Sequence, residues 1–330
     1  MNEIRALAEW EEQDLLMLAL PDSTMDWKPY LSEIMQSYKE FISLASAFER
    51  VLLIGRDESF YKQNFAKNEN IDFFKYSLND TWIRDFGAID VFDKRKQKII
   101  SYDFIFNAWG NKFQSKLDNE LNSRLFKEKL KGELRSIDFI LEGGSIDNNG
   151  SGTMLTTTKC LLNENRNKHL SKEEIENKLK ELFNLKSLIW LENGFIKGDD
   201  TDAHIDTLAR FITPDTIAHC VCEDEKDEHF LPLLKMKKEL EKTGFKLVEL
   251  PLPAPIFYEG RRLGASYANF IFLNNALIVP TYKDKNDEIA LSRLAKALPH
   301  LKVLALDASV FIRQNGSLHC ACQNRFLGKR

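Results

Sequence analysis

The chain has 330 residues, with 46 Lys and Arg against 50 Asp and Glu, a formal net charge of −4 and a pI near 6.0. Nucleic acid and anionic membranes call for a concentrated basic face, so this balance argues against both partners while admitting a small cationic ligand. No apolar run approaches the ~18 residues of a membrane span, and the five cysteines, odd in number and mostly in C-x-C spacing, do not form a disulfide framework.

The first stretch, MNEIRALAEWEEQD, has acids where a secretory signal needs a basic and then an apolar region, so a cytoplasmic protein is expected. DLLMLAL (14–20) predicts a strand, residues 30–48 an amphipathic helix, and RVLLIGR (50–56) a second strand. GAIDVFD (87–93) and KIISYDFIF (98–106) predict paired strands, followed by a helix in SKLDNELNSRLFKEKL (115–130) and a strand in SIDFILE (136–142). TMLTTTKCLLNENRN (153–167), TLARFITPDTIAHCVCEDE (207–225) and ANFIFLNNALIVPTYKDKND (268–287) each read as a hairpin. After them come helix patterns at 172–183, 229–242 and 287–298, then strands at 187–192, 245–251 and 301–307. The order β-β-α-β thus recurs in five units of roughly 50 to 65 residues, which favours a single cyclic α/β domain spanning 1–330. A doubly wound sheet would also alternate strands and helices, but a parallel sheet supplies no hairpins.

The polar residues cluster just after the third strand of each unit: NDTWIRDFG (79–87), EGGSIDNNG (142–150), GDDTDAHID (198–206), PAPIFYEGRRLGASYAN (253–269) and NGSLHCACQ (315–323). Units related by rotation would bring these segments together at one end of the axis. Asp85, Glu142, His204, Asp206 and Cys320 would then share a site, which supplies the thiol, imidazole and carboxylates of cysteine-nucleophile chemistry. His204 and Asp206, two apart, would point to one face of an extended segment. Asp199, Asp200 and Asp202 are candidates for drawing a cation toward the mouth.

Each residue also has a plainer reading. Cys220 and Cys222, on an apolar strand, read as packing residues. His319, Cys320 and Cys322 lack the paired C-x2-C spacing of a structural zinc site, and the acids around His204 and Asp206 suit a hard cation better than zinc. Taken alone, Glu142-Gly143-Gly144 is a turn, and Trp82 with Asp85 a capped helix start.

The chain resembles the agmatine deiminases of the porphyromonad-type peptidylarginine deiminase family, in the guanidine-modifying (pentein) superfamily. The similar stretches run nearly end to end: AEWEEQDLLMLALP with DW at 26–27, NDTWIRDFG, FNAWGNKF, LEGGSID, HIDTLARF, SYANFIFLNNALIVP and HCACQ. The resemblance implies a five-bladed α/β-propeller and hydrolysis of agmatine to N-carbamoylputrescine and ammonia, without metal or organic cofactor. It implies Cys320 as nucleophile, His204 as acid and then base, Glu142 orienting His204, and Asp85 and Asp206 gripping the guanidinium. Asp80 and Trp82 would line the site, and His319 would support the loop. The resemblance leaves a homo-oligomer open.

One departure concerns the loop before the nucleophile. Relatives usually carry G-G-G-x-H-C, whereas Gln314 and Asn315 here replace two glycines; Asn tolerates positive φ, and Gln314 is the mismatch. Arg261 and Arg262 could meet a substrate carboxylate or simply face solvent. Deimination of arginine or peptidyl-arginine is therefore the alternative activity, followed by amidino transfer from Cys320 to an amine.

Overall fold

The computed structural model describes residues 4–326. Five sheets are built on the same pairing rule, in which a central strand has an antiparallel neighbour on one side and a parallel one on the other. In chain order of their central strands, these are Leu15–Ala19, Lys98–Ile105, Thr153–Thr157, Thr216–Val221 and Ala276–Thr281. None of these sheets closes on itself. The parallel neighbour follows a helix in each case, as a parallel crossover requires, and the antiparallel neighbour is a hairpin partner in four of the five.

The fifth case differs. Leu15–Ala19 finds its antiparallel neighbour at the far end of the chain, in Cys322–Arg325, with Cys322 opposite Leu18 and Arg325 opposite Leu15. The expected first unit lacked this strand because it is remote in sequence. Leu15–Ala19 is buried at every position because it is flanked on both sides, which explains its unbroken apolar run.

The expected hairpin at 153–167 is displaced. The strands are Ile146–Asn148 and Thr153–Thr157, and the chain then turns into a short helix, Thr158–Leu161, capped by Thr157. The β-branched run TMLTTT fixed the strand correctly, but its partner lies before it. The other helices fall where the periodicity predicts, at Leu31–Ala45, Lys116–Glu128, Lys172–Phe183, Phe230–Glu241 and Asp287–Ala297. Lys172–Phe183 buries Ile175, Leu179 and Phe183, four apart on one face. Ser171 and Glu174 close a capping box at its start, and Asn184 ends it in the left-handed conformation.

Among the described residues, no helix is long and apolar enough to cross a membrane.

Candidate active site

Three of the five polar segments place their functional residue at or in a tight turn. Asp85 sits in the one-turn helix Ile83–Phe86, begun by Trp82; Glu142 precedes the 3-10 turn Gly143–Ser145; and Asp206 lies in the 3-10 turn Ile205–Thr207, begun by His204. The extended geometry expected for His204 and Asp206 is therefore replaced by a turn, yet both side chains reach the same cavity. The 3-10 turn Phe311–Gln314 precedes Cys320.

Trp82, Asp80, Asp85, His204, Asp206 and Cys320 all line one cavity of about 270 Å³. Its wall also includes Asp26, Asp200, Trp109, Phe113 and Arg261. Gly144 is the centre of closest approach: a Cβ there would lie 2.7 Å from His204 Nδ1, 2.8 Å from Asp85 Oδ1 and 3.0 Å from Asp206 Oδ2. Only glycine lets those three groups converge.

Asp85 is fixed by Trp109 Nε1, which donates to Oδ2 at 2.9 Å, and by the Gly144 N–H, which donates to Oδ1 at 2.9 Å. Asp206 Oδ2 faces His319 Nδ1 at 2.7 Å, while its Oδ1 is buried without a hydrogen-bond partner. Cys320 Sγ lies 3.7 Å from Asp206 Oδ2 and 3.3 Å from Asn269 Nδ2. Burial and the charges of Asp206 and Asp85 hold the Cys320 thiol well above its usual pKa. Burial also pushes Asp85 up, assisted by Asp206 and opposed by His204. Asp206 goes the other way: burial is outweighed by the hydrogen bond and charge of His319, with His204 and Arg210 adding to them.

Burial disfavours a charged His204, but Asp85, Cys160 and Glu142 outweigh it and hold the imidazole well above its ordinary range. Its Nδ1 is 3.6 Å from Asp85 Oδ1, and Nε2 has no hydrogen-bond partner. Glu142 lies beside it, with ligand atoms of Glu142, Cys160 and His204 all within 4.8 Å of one another. That trio has the donor types of a metal site, but Arg166 Nε donates to both Glu142 oxygens at 2.9 and 3.0 Å, so the carboxylate is already matched by a guanidinium.

A second acidic group lies nearer the opening. Burial and the charges of Asp26 and Asp200 raise the Asp80 carboxyl to about 7. The other acids of the 198–206 segment are occupied. Asp199 accepts from the N–H groups of Thr201 and Ala203, and Asp202 is paired with Arg166 and Lys112. Asp200 Oδ2 accepts from Asn315 Nδ2 at 2.8 Å.

The loop departure is accommodated by specific contacts. Gln314 Nε2 donates to the Asp26 carbonyl at 2.9 Å and to the Tyr30 hydroxyl at 2.7 Å. Asn315 takes φ 67°, the conformation a glycine would supply. Arg261 is exposed at the rim, donating to Asn315 Oδ1 and the Arg313 carbonyl, whereas Arg262 is paired with Asp227.

Sequence reasoning missed Glu9, Asn269, Trp109 and Arg166. Trp109 and Glu9 stand in the quoted stretches FNAWGNKF and AEWEEQD, but no spacing linked them to the site. Asn269 and Arg166 act through contacts spanning 51 and 24 residues.

A thiol beside buried carboxylates, with an imidazole and an Arg-paired glutamate close by, gathers the residue types of cysteine-nucleophile chemistry on a repeated α/β scaffold. The chain belongs to the Porphyromonas-type peptidyl-arginine deiminase family, whose sequence model matches residues 5–325. It is similar to the agmatine deiminase of C. jejuni, at 64% identity over 99% of this chain and 97% of that one, with a TM-score of 0.94. A cysteine-to-serine variant of the C. jejuni enzyme with substrate bound matches at 65% identity over 99% and 97%, with a TM-score of 0.97. The agmatine deiminase of Pseudomonas aeruginosa is 29% identical over 97% of this chain and 95% of its own length. An amidinotransferase from Microseira wollei, 14% identical over 99% of both chains with a TM-score of 0.56, shares the fold alone.

Proposed function

We propose that this protein is an agmatine deiminase: a single catalytic domain whose five sheets form five blades around one axis, converting agmatine and water to N-carbamoylputrescine and ammonia. The observation that carries the reading is the sorting of the cavity's charges into two groups. Asp85 and Asp206 flank Cys320, and Asp80, Asp26 and Asp200 form a second cluster, so the cavity matches a ligand with a cation at each end. Agmatine has a guanidinium and an ammonium, whereas free arginine adds a carboxylate that this second cluster would repel. Similarity to agmatine deiminases over nearly the whole chain supports the same substrate.

The guanidinium is a poor electrophile, and edge-on contacts with Asp85 and Asp206 would fix its plane against Cys320. A bound cation also offsets the two carboxylates that hold the thiol protonated, so substrate itself promotes the thiolate. Sulfur attacks the central carbon, His204 in its charged form gives a proton to the departing amine, and ammonia leaves. This produces a thiouronium ester on Cys320. Neutral His204 then takes a proton from water; the resulting hydroxide adds to the same carbon, and the C–S bond breaks to regenerate the thiol. The net change is guanidinium plus water to ureido group plus ammonium.

The test is ammonia release from purified protein given agmatine, arginine and a C-terminal arginyl peptide in parallel, with C320S as control. Release from agmatine alone is expected, together with ureido product in equal amount. Faster release from arginine or the peptide would overturn the substrate, and product without ammonia in the presence of an amine would indicate amidino transfer.

A further inference from the structure

Behind Asp206, away from the cavity, lies a buried ionic cluster that the chemistry above does not use. His319 presents Nδ1 to Asp206 Oδ2 and Nε2 to Glu9 Oε2, each at 2.7 Å. Glu9 comes from the N-terminal segment, 310 residues away. Its carboxylate also meets Arg210 at 2.7 Å and Arg84 at 3.7 Å, and accepts from the Phe272 N–H at 3.0 Å. Arg210 in turn pairs with Asp147 at 3.0 Å. His319, Asp206, Arg210 and Arg84 are all buried, and a small polar cavity of about 70 Å³ lies against Glu9, Arg84, Asp147 and His319.

A neutral imidazole has one N–H and could donate to only one of two ionised carboxylates. Two short contacts to carboxylates therefore require both ring nitrogens to carry protons. The charge count agrees: Glu9, Asp206 and Asp147 are three anions against Arg84, Arg210 and a charged His319. Burial without such balance is strongly unfavourable.

We propose that Glu9 is a positioning residue, holding His319 as an imidazolium that locks Asp206 ionised beside Cys320. His319 ties Asp206 Oδ2, the oxygen that also lies 3.7 Å from Cys320 Sγ, and among the described residues Oδ1 is buried without a hydrogen-bond partner. The hydrogen bond and charge of His319 depress Asp206 in spite of its burial, and Arg210, His319 and Arg84 likewise depress the buried Glu9. The inference rests on the deiminase reading only for what Asp206 grips.

The experiment combines histidine-¹⁵N NMR with kinetics on E9Q. Gln keeps an acceptor at Nε2 but removes the anion that stabilises the second proton. In the wild-type protein both His319 nitrogens are expected to show the protonated imidazolium signature, assigned by its loss in H319Q. In E9Q one nitrogen is expected to lose its proton and kcat/KM for agmatine to fall about ten- to a hundredfold. A singly protonated His319 in wild-type protein overturns the proposal even if E9Q does not fold. Unchanged His319 signals or unchanged turnover in folded E9Q overturn it too. The NMR arm reads charge without any substrate, so a failure of the agmatine assignment is seen separately, in the ammonia assay.

Discussion

Cys320 Sγ lies 3.7 Å from Asp206 Oδ2, a thiol placed against an anion that opposes its ionisation. An enzyme with a permanently activated thiolate would place a cation there, so this pairing assigns activation to the ligand. D206N should consequently split reactivity from catalysis: turnover is lost, while iodoacetamide alkylation of Cys320 at pH 8 becomes faster than in the wild type. Slower alkylation in D206N would show that Asp206 assists the thiol rather than restraining it. Mass spectrometry of the labelled peptide reads the result.

Gly144 tests convergence. The added Cβ in G144A would press on His204, Asp85 and Asp206 at 2.7 to 3.0 Å, and all three would have to retreat. Loss of at least ~100-fold in kcat/KM is expected, because reacting groups displaced by about 1 Å lose that much. Circular dichroism should remain native.

The second acidic cluster should read the ligand's far end. D80N and D200N are each expected to raise KM for agmatine about tenfold, the worth of one charge-assisted contact near ~1.4 kcal/mol. Butylguanidine, which lacks the ammonium, should be a poor substrate of the wild type and be little affected by either variant. Equal effects on both compounds would place the cluster outside the recognition of the amine.

Glu49 provides a pH-dependent stability test away from the chemistry. Burial raises its carboxyl to about 8; among the described residues the Asn274 N–H donates to Oε2 at 3.2 Å and Oε1 has no hydrogen-bond partner. A carboxyl raised in the folded state binds its proton more tightly there than in the unfolded chain. Its favourable share of stability is full below the unfolded value of ~4.3 and is lost as pH rises toward 8. E49Q should therefore be more stable than wild type at pH 8.5, with the advantage shrinking toward pH 5. Urea midpoints across that range check the sign.

Arg166 and Glu142, both fully buried, form an ion pair whose halves should not be separable. R166M leaves the Glu142 carboxylate uncompensated and should cost about 3 kcal/mol or more in urea unfolding. Recovery of stability in the R166M/E142Q double variant, without recovery of turnover, is expected.

The sequence by itself determined the five long helices and the central strand of each of the five sheets. Apolar periodicity and turn residues are local signals, and LVELP or DEIALSRLAKAL express them wherever they stand. The recurrence of polar segments after each third strand led to the expectation that Asp85, Glu142, His204, Asp206 and Cys320 share a site; Asp85, His204, Asp206 and Cys320 line one cavity, and Glu142 stands beside His204. What only the tertiary structure decided are the long-range partners: Cys322–Arg325 completing the sheet of Leu15–Ala19, Arg166 occupying Glu142, Gln314 anchored on Tyr30, and Glu9 reaching His319. A hydrogen bond or ion pair spanning hundreds of residues leaves no periodic trace in the chain, since its geometry exists only once both segments are held by cores they did not themselves build.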